Sequence, residues 1–283
     1  MELIAHGGAG SAVENPNERA AVLENAVETG RTEATALSAA IETVKVLEEA
    51  PSFNAGVGGA IQSDGIVRTD AGVMTNDRSV GAACSMAGVA HASEVARVVL
   101  ETTPHVLVAG EGAVSLAEKA GIDTDAELLC DRTRSRWNEL DAPGSSIEAQ
   151  LSFVREQFAG HDTVGAVAAD GEEIAACTST GGRWCALAGR VGDVPQVGSG
   201  FYCTHAGGAS ATGEGEAIAR VTLARRAVDH LELGRDPADA ATLAIEELED
   251  ITGGLAGVIV MDRDGNAGSA FNTEMMQTDS TSD

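Results

Sequence analysis

The residues most suited to chemistry are threonines gathered around one hairpin. Thr163 follows His161 and Asp162 and precedes a run of small apolar residues, 164–169, of the kind carried by a strand buried on both faces. Asp170-Gly171 is a hairpin signal, and a two-residue loop there pairs Ala169 with Glu172. Thr163 is then expected opposite Thr178, with Thr180 a diagonal neighbour on the same face. Threonine is a good strand former in any setting, so position alone does not make a site. Its hydroxyl is a weak nucleophile without a base, and no histidine pattern of the Ser/His/Asp kind surrounds Thr163. A free α-amino group can be that base, because its reference pKa of about 7.7–8.0 leaves part of it neutral near pH 7. Only an N-terminal threonine carries both groups.

Three further motifs follow within about forty residues: Thr178-Ser179-Thr180-Gly181-Gly182, Gly189-Arg190-Val191-Gly192-Asp193-Val194-Pro195 and Ala211-Thr212-Gly213-Glu214-Gly215-Glu216. Earlier come His6-Gly7-Gly8-Ala9-Gly10 and Phe53-Asn54-Ala55-Gly56, and later Phe271-Asn272-Thr273-Glu274. In this order, from residue 4 to about 275, the sequence resembles the N-terminal-nucleophile hydrolases of the plant-type asparaginase, isoaspartyl aminopeptidase and glycosylasparaginase group. The resemblance implies an α+β fold, a four-layer αββα sandwich, in a single domain. It also implies cleavage between Asp162 and Thr163, giving an α segment, 1–162, and a β segment, 163–283.

The implied activity is hydrolysis of the side-chain amide of L-asparagine, and of β-aspartyl dipeptides. Thr163 is the expected nucleophile, with Thr180 and Thr178 orienting it and Asn54 and Gly8 supporting its surroundings. Thr212 and Gly213 are the expected oxyanion donors. Arg190, whose planar fork suits a carboxylate, and Asp193, which can hold an α-ammonium, would grip the aspartyl end beside Gly215. The blander reading of those two is an Arg190–Asp193 pair within a loop. A structural sodium is implied on the main-chain oxygens of Leu47, Glu48, Ala50, Phe53, Ala55 and Val57, with no other cofactor. Asp162 and the 211–216 stretch lean towards glycosylasparaginases, whereas Gly181-Gly182 leans towards the asparaginase branch. Glu214 is expected to bring a carboxylate near the pocket, and Arg183-Trp184 to add bulk. Cleavage of N4-substituted asparagine is the second enzymatic reading. A non-catalytic, uncut ligand-binding protein is the reading from another class, and a binding function would survive Thr163→Ala.

Composition narrows the setting. The 283 residues carry 44 acidic and 18 basic side chains, a net charge of -26, and only Lys45 and Lys119 as lysines. Such a charge repels nucleic acid and anionic membranes. Spread along the chain, it fits a protein adapted to high salt, where screening relieves self-repulsion. The partner expected is a small-molecule substrate, and the family resemblance implies a homodimer of αβ units. Five cysteines without CxxC spacing read as reduced thiols, and the first residues lack a basic, apolar leader, so a cytoplasmic location is expected.

These residues need elements to hold them. A strand over 2–6 should end in the glycine turn 7–10, with helices over 17–29 and 33–49. Pro51 stops the second helix. A hairpin is expected at 60–74, a strand at 80–89 and a helix capped by Ser93. A short strand at 105–108 and helices over 112–119, 124–140 and 146–158 follow, with 141–160 as a mobile linker. Beyond the central hairpin, helices over 215–232 and 236–249 precede strands at 258–261 and 266–271.

Overall fold

A computed structural model describes residues 1–13, 15–144, 146–158 and 162–281; His161 lies outside the described residues. The first half forms β1 (Glu2–Gly10), α1 (Pro16–Arg31), α2 (Ala36–Glu49), β2 (Thr69–Thr75), β3 (Val80–Met86), α3 (Ala92–Thr102), β4 (Leu107–Ala109), α4 (Gly110–Lys119), α5 (Asp131–Asn138) and α6 (Ile147–Gln157). The second half forms β5 (Val164–Ala169), β6 (Ile174–Thr180), β7 (Phe201–Thr204), β8 (Gly207–Gly213), α7 (Gly215–Val221), α8 (Leu223–Glu232), α9 (Pro237–Thr252), β9 (Ala256–Asp262), β10 (Ala267–Phe271) and β11 (Met275–Ser280).

Seven strands lie in one sheet, ordered β11-β1-β5-β6-β2-β3-β4, and four in another, ordered β10-β9-β8-β7. Their inner faces meet where β5 and β6 pack on β8 and where β1 packs on β9. Helices α1 to α4 cover the larger sheet, and α8 and α9 cover the smaller. The result is the expected αββα order of layers. Period-two alternation explains the choice of residues. On β5, Val164, Ala166 and Ala168 join the core under α2, whereas Val167 and Ala169 face the second sheet. Thr163 shares the parity of Val167 and so belongs to the inter-sheet side. Side chains there are small because both faces are covered, and Gly165 has no room for a Cβ between Ser210 and His6.

Several expected boundaries shift, each for a local reason. β1 does not stop before the glycines. It runs on to Gly10 through an irregularity between His6 and Ala9, because β11 pairs with it on both sides of the bulge. β11 itself was not expected, since its polar sequence sits at a sheet edge. The helix expected over 124–140 shrinks to α5 because Ala126 N bonds Gly88 O and Gly58 N bonds Leu128 O, tying that stretch to loops. Ser93 is not the cap of α3: His91 takes that position, and the Ser93 hydroxyl donates to buried Glu48 at 2.8 Å. The helix expected over 215–232 breaks at Thr222, which adopts φ 55°, while the amides of Ala224 and Arg225 bond Ser199 O and Gly198 O. The stretch 141–160 contains α6, whose Ser146 caps it by accepting from Ala149 N. Among the described residues, no helix is long and apolar enough to cross a membrane.

Candidate active site

Strand register assembles the site. Val164 pairs with Ser179, Gly165 with Thr178 and Ala169 with Ile174, so the two-residue loop is incorrect. The Asp170 carboxylate accepts from the amides of Glu172 and Glu173, and Asp170 N donates to Glu173 O, which lengthens the turn. The register moves by two, and Thr180 rather than Thr178 falls opposite Thr163. Thr178 instead faces Gly200 O at 3.0 Å and Ser210 Oγ at 2.6 Å, stitching the two sheets together.

The peptide bond before Thr163 is tightly held. Asn54 Nδ2 donates to Asp162 O at 2.7 Å and to Gly182 O at 2.6 Å. Thr180 Oγ1 donates to the same Asp162 oxygen at 3.3 Å and accepts from Gly182 N. The Asp162 carboxylate pairs with Arg19 at 3.1 Å. Gly8, at φ +111°, makes room for that pair, since a Cβ there would overlap Asp162 Oδ1. Arg19 is buried, donates also to Gly7 O and Ser52 O, and stacks over Phe53 with its guanidinium carbon 4.4 Å from the ring centroid.

A small cavity on the inter-sheet side is lined by Thr163, Thr180, Arg190, Asp193, Gly213 and Gly215, among others. With Asp162, which also lines it, the structure brings together seven of the residues singled out from sequence as site residues; Thr178 and Thr212 are not in this lining. Arg190 pairs with Glu216 at 2.8 Å, and no Arg190–Asp193 ion pair occurs among the described residues. Asp193 is buried and its Oδ2 has no partner. Burial pushes its carboxyl up to about 6, against the pull of Arg190. An unpartnered buried carboxylate oxygen beside a guanidinium suits a zwitterionic amino-acid end. Thr212 accepts from Ala9 N at 3.2 Å, which leaves its hydroxyl proton available to donate. Glu214 turns away from the cavity towards Leu255 N, contrary to expectation; the acid beside it is Glu216. Trp184 lines a neighbouring larger cavity.

Sequence reasoning missed four supporting groups. Arg19 lies in α1, on the helix expected over 17–29. The Glu48 side chain accepts from Ser179 Oγ, Ser93 Oγ and Ser93 N at 2.6, 2.8 and 3.0 Å, joining α2, α3 and β6 one residue from Thr180; burial pushes it up to about 7. Asp70, opposite Thr180 on β2, accepts from Ser85 N and is likewise pushed up to about 7 by burial. His6 is buried against Ser210, and burial lowers it to about 3, so it is neutral. Only the pairing of distant elements makes these contacts, and of the four groups His6 alone lies in a motif quoted above.

The loop after α2 folds tightly: Val57 N bonds Glu48 O, and Phe53 N bonds Ala50 O. Gly56 and Gly58 have positive φ and no room for a Cβ against the oxygens of Glu48, Pro51 and Phe53. Among the described residues, no group of three or more His, Cys, Asp or Glu side chains could hold a metal ion.

Two facing sheets under helices, with a threonine at the mouth of a central strand, define the class of N-terminal-nucleophile hydrolases. Within that class, the chain belongs to the asparaginase family, whose pattern matches residues 1–283. It is 39% identical to the plant-type L-asparaginase of Pyrococcus furiosus, covering 98% of this chain and 94% of that one. Identity to the plant-type L-asparaginase of Pyrococcus abyssi is 40%, with the same coverage. Identity to the isoaspartyl peptidase/L-asparaginase of Danio rerio is 36%, covering 97% of this chain and 90% of the relative.

Proposed function

We propose that the chain is a threonine amidohydrolase that cuts itself between Asp162 and Thr163. It then hydrolyses L-asparagine to L-aspartate and ammonia, and β-aspartyl dipeptides to aspartate and an amino acid. The observation that carries this reading is the convergence of Thr163, Thr180, Arg190 and Asp193 on one cavity. In self-cleavage, Thr163 Oγ attacks the Asp162 carbonyl carbon while Asn54 and Thr180 hold its oxygen. The C–N bond breaks, the nitrogen gains a proton, and water hydrolyses the resulting ester. The freed α-amine then takes the Oγ proton as Thr163 attacks the substrate amide. The developing oxyanion takes hydrogen bonds from the Thr212 hydroxyl and Gly213 amide. The amine returns the proton to the leaving nitrogen, and water releases aspartate from the ester. Arg190 binds the substrate α-carboxylate, Asp193 its α-ammonium, and Gly215 leaves room between them. Replacing Thr163 with alanine tests the reading: both self-cleavage and asparagine hydrolysis should stop.

The same reading includes a structural sodium held by main-chain oxygens in the loop from Leu47 to Val57. The closed turn and its crowded carbonyls support it; an equal melting temperature in sodium and potassium would rule it out. Five free cysteines support a reducing, cytoplasmic setting. The charge of -26 supports a salt-rich one. The family resemblance supports a homodimer, which mass-resolved sizing would check.

A further inference from the structure

A cavity of about 280 Å³ lies beside the scissile bond, in a chain with 18 basic and 44 acidic residues. Among the described residues, Arg19, Arg132, Arg136 and Arg183 line it, and Asp162 is the only carboxylate in its wall. Arg19 is matched by Asp162 and Arg183 by Glu216. Arg132 and Arg136, one turn apart on α5, have no carboxylate within 4 Å among the described residues. Arg134, between them in sequence, is paired with Glu127. Arg132 donates to Pro51 O at 3.3 Å and interacts with the Cys130 thiol, and Arg136 lies over the Trp184 ring, 4.2 Å from its centroid. Edge-on contacts of Trp137 with Trp184 and Phe153 fix α5 in this position.

This cavity meets the catalytic one along a shared wall formed by Asp162, Gly182 and Arg183. A substrate whose aspartyl end sits on Arg190 and Asp193, with its amide at Thr163, can extend its leaving group into the arginine cavity. The ammonia released from asparagine has no use for that space. The amino acid released from a β-aspartyl dipeptide carries an α-carboxylate only a few bonds from the scissile carbon, and guanidinium groups match a carboxylate in charge and geometry.

We propose that Arg132 and Arg136 form a leaving-group subsite for the free α-carboxylate of β-aspartyl dipeptides. The inference rests on the threonine-hydrolase reading above. Its test is kinetic, on the self-cleaved enzyme at one fixed salt concentration. Three substrates are compared: a β-aspartyl dipeptide, the same dipeptide with its C-terminal carboxylate amidated, and asparagine.

The wild type should prefer the free dipeptide to its amide. Arg132→Gln combined with Arg136→Gln should lower kcat/KM for the free dipeptide about tenfold, the scale of one lost charge-assisted contact. The loss should come mainly through KM, with the amide and asparagine changed less than twofold. Arg132→Lys with Arg136→Lys, which keeps both charges, should recover most of the loss. No loss, or an equal loss on all three substrates, would overturn the subsite; an equal loss would assign the arginines to the fold or to holding the cut α segment. A wild type active on asparagine but on neither dipeptide would overturn the subsite and leave the amidohydrolase standing. An uncut chain inactive on all three would overturn both.

Discussion

Asn54 Nδ2 lies 2.7 Å from the carbonyl oxygen of Asp162, the oxygen that must take up negative charge if Thr163 attacks. In the proposed self-cleavage its amide would be an oxyanion donor already in place. Removing one such donor typically slows a reaction by about 10²–10³. Asn54→Ala should slow the appearance of the two segments by about that factor, as followed by timed mass spectra of freshly refolded chain.

Arg19 holds the other side of the same residue. Its side chain is 8% exposed and its partner Asp162 29% exposed. Breaking a buried pair from one side leaves an uncompensated charge, and Arg19→Gln should destabilise the uncut chain by about 3 kcal/mol. Loss of packing on Phe53 adds to this. Urea unfolding of Thr163→Ala with and without Arg19→Gln measures the difference without interference from cleavage.

Asp193 must be ionised to hold an α-ammonium. Burial pushes its carboxyl up to about 6, so substrate affinity should fall as pH drops below about 6, well above the range of an ordinary aspartate. KM for asparagine should rise on that acidic limb, with the loss centred near pH 6. An acidic limb centred near pH 4 would show that Asp193 is not the group being titrated.

Asp70 makes a separate prediction for stability. Its folded pKa, pushed up to about 7 by burial, exceeds its unfolded value, so the folded state binds the extra proton. The stabilisation is complete below pH about 4 and is lost as pH rises through about 7. Asp70→Asn removes this loss while keeping an acceptor for Ser85 N. It should be more stable than wild type at pH 8, with the difference shrinking as pH falls and gone below about 4, compared by thermal unfolding in a Thr163→Ala background.

The residues that the structure brings to one cavity stand out in the sequence because each has a distinctive short context: Thr163 after Asp162, Arg190 and Asp193 in a glycine-flanked loop, Gly213 after Thr212. The layer order was expected from the family resemblance that those motifs carry. The register was not, because an Asx-type turn at Asp170 lengthened the hairpin through side-chain bonds that a two-residue rule ignores. That slip alone exchanged the positions of Thr178 and Thr180. Arg19, Glu48 and Asp70 were hidden for another reason. An acidic or basic residue on a helix or strand reads as solvent-facing until a distant element, here β5, α3 or β3, closes over it. Thr222 was hidden because nothing in its identity requires a left-handed conformation; the loop at 198–199 imposes the break by taking the first amides of α8.

The central claim is that Thr163 becomes an N-terminus, and the intact mass of the purified protein under denaturing conditions tests it most directly. Wild-type protein incubated in salt should resolve into two species whose masses place the cut between Asp162 and Thr163, while Thr163→Ala should remain a single chain. A wild-type chain that stays whole yet hydrolyses asparagine would contradict the account, because its nucleophile would then lack the amine proposed as its base.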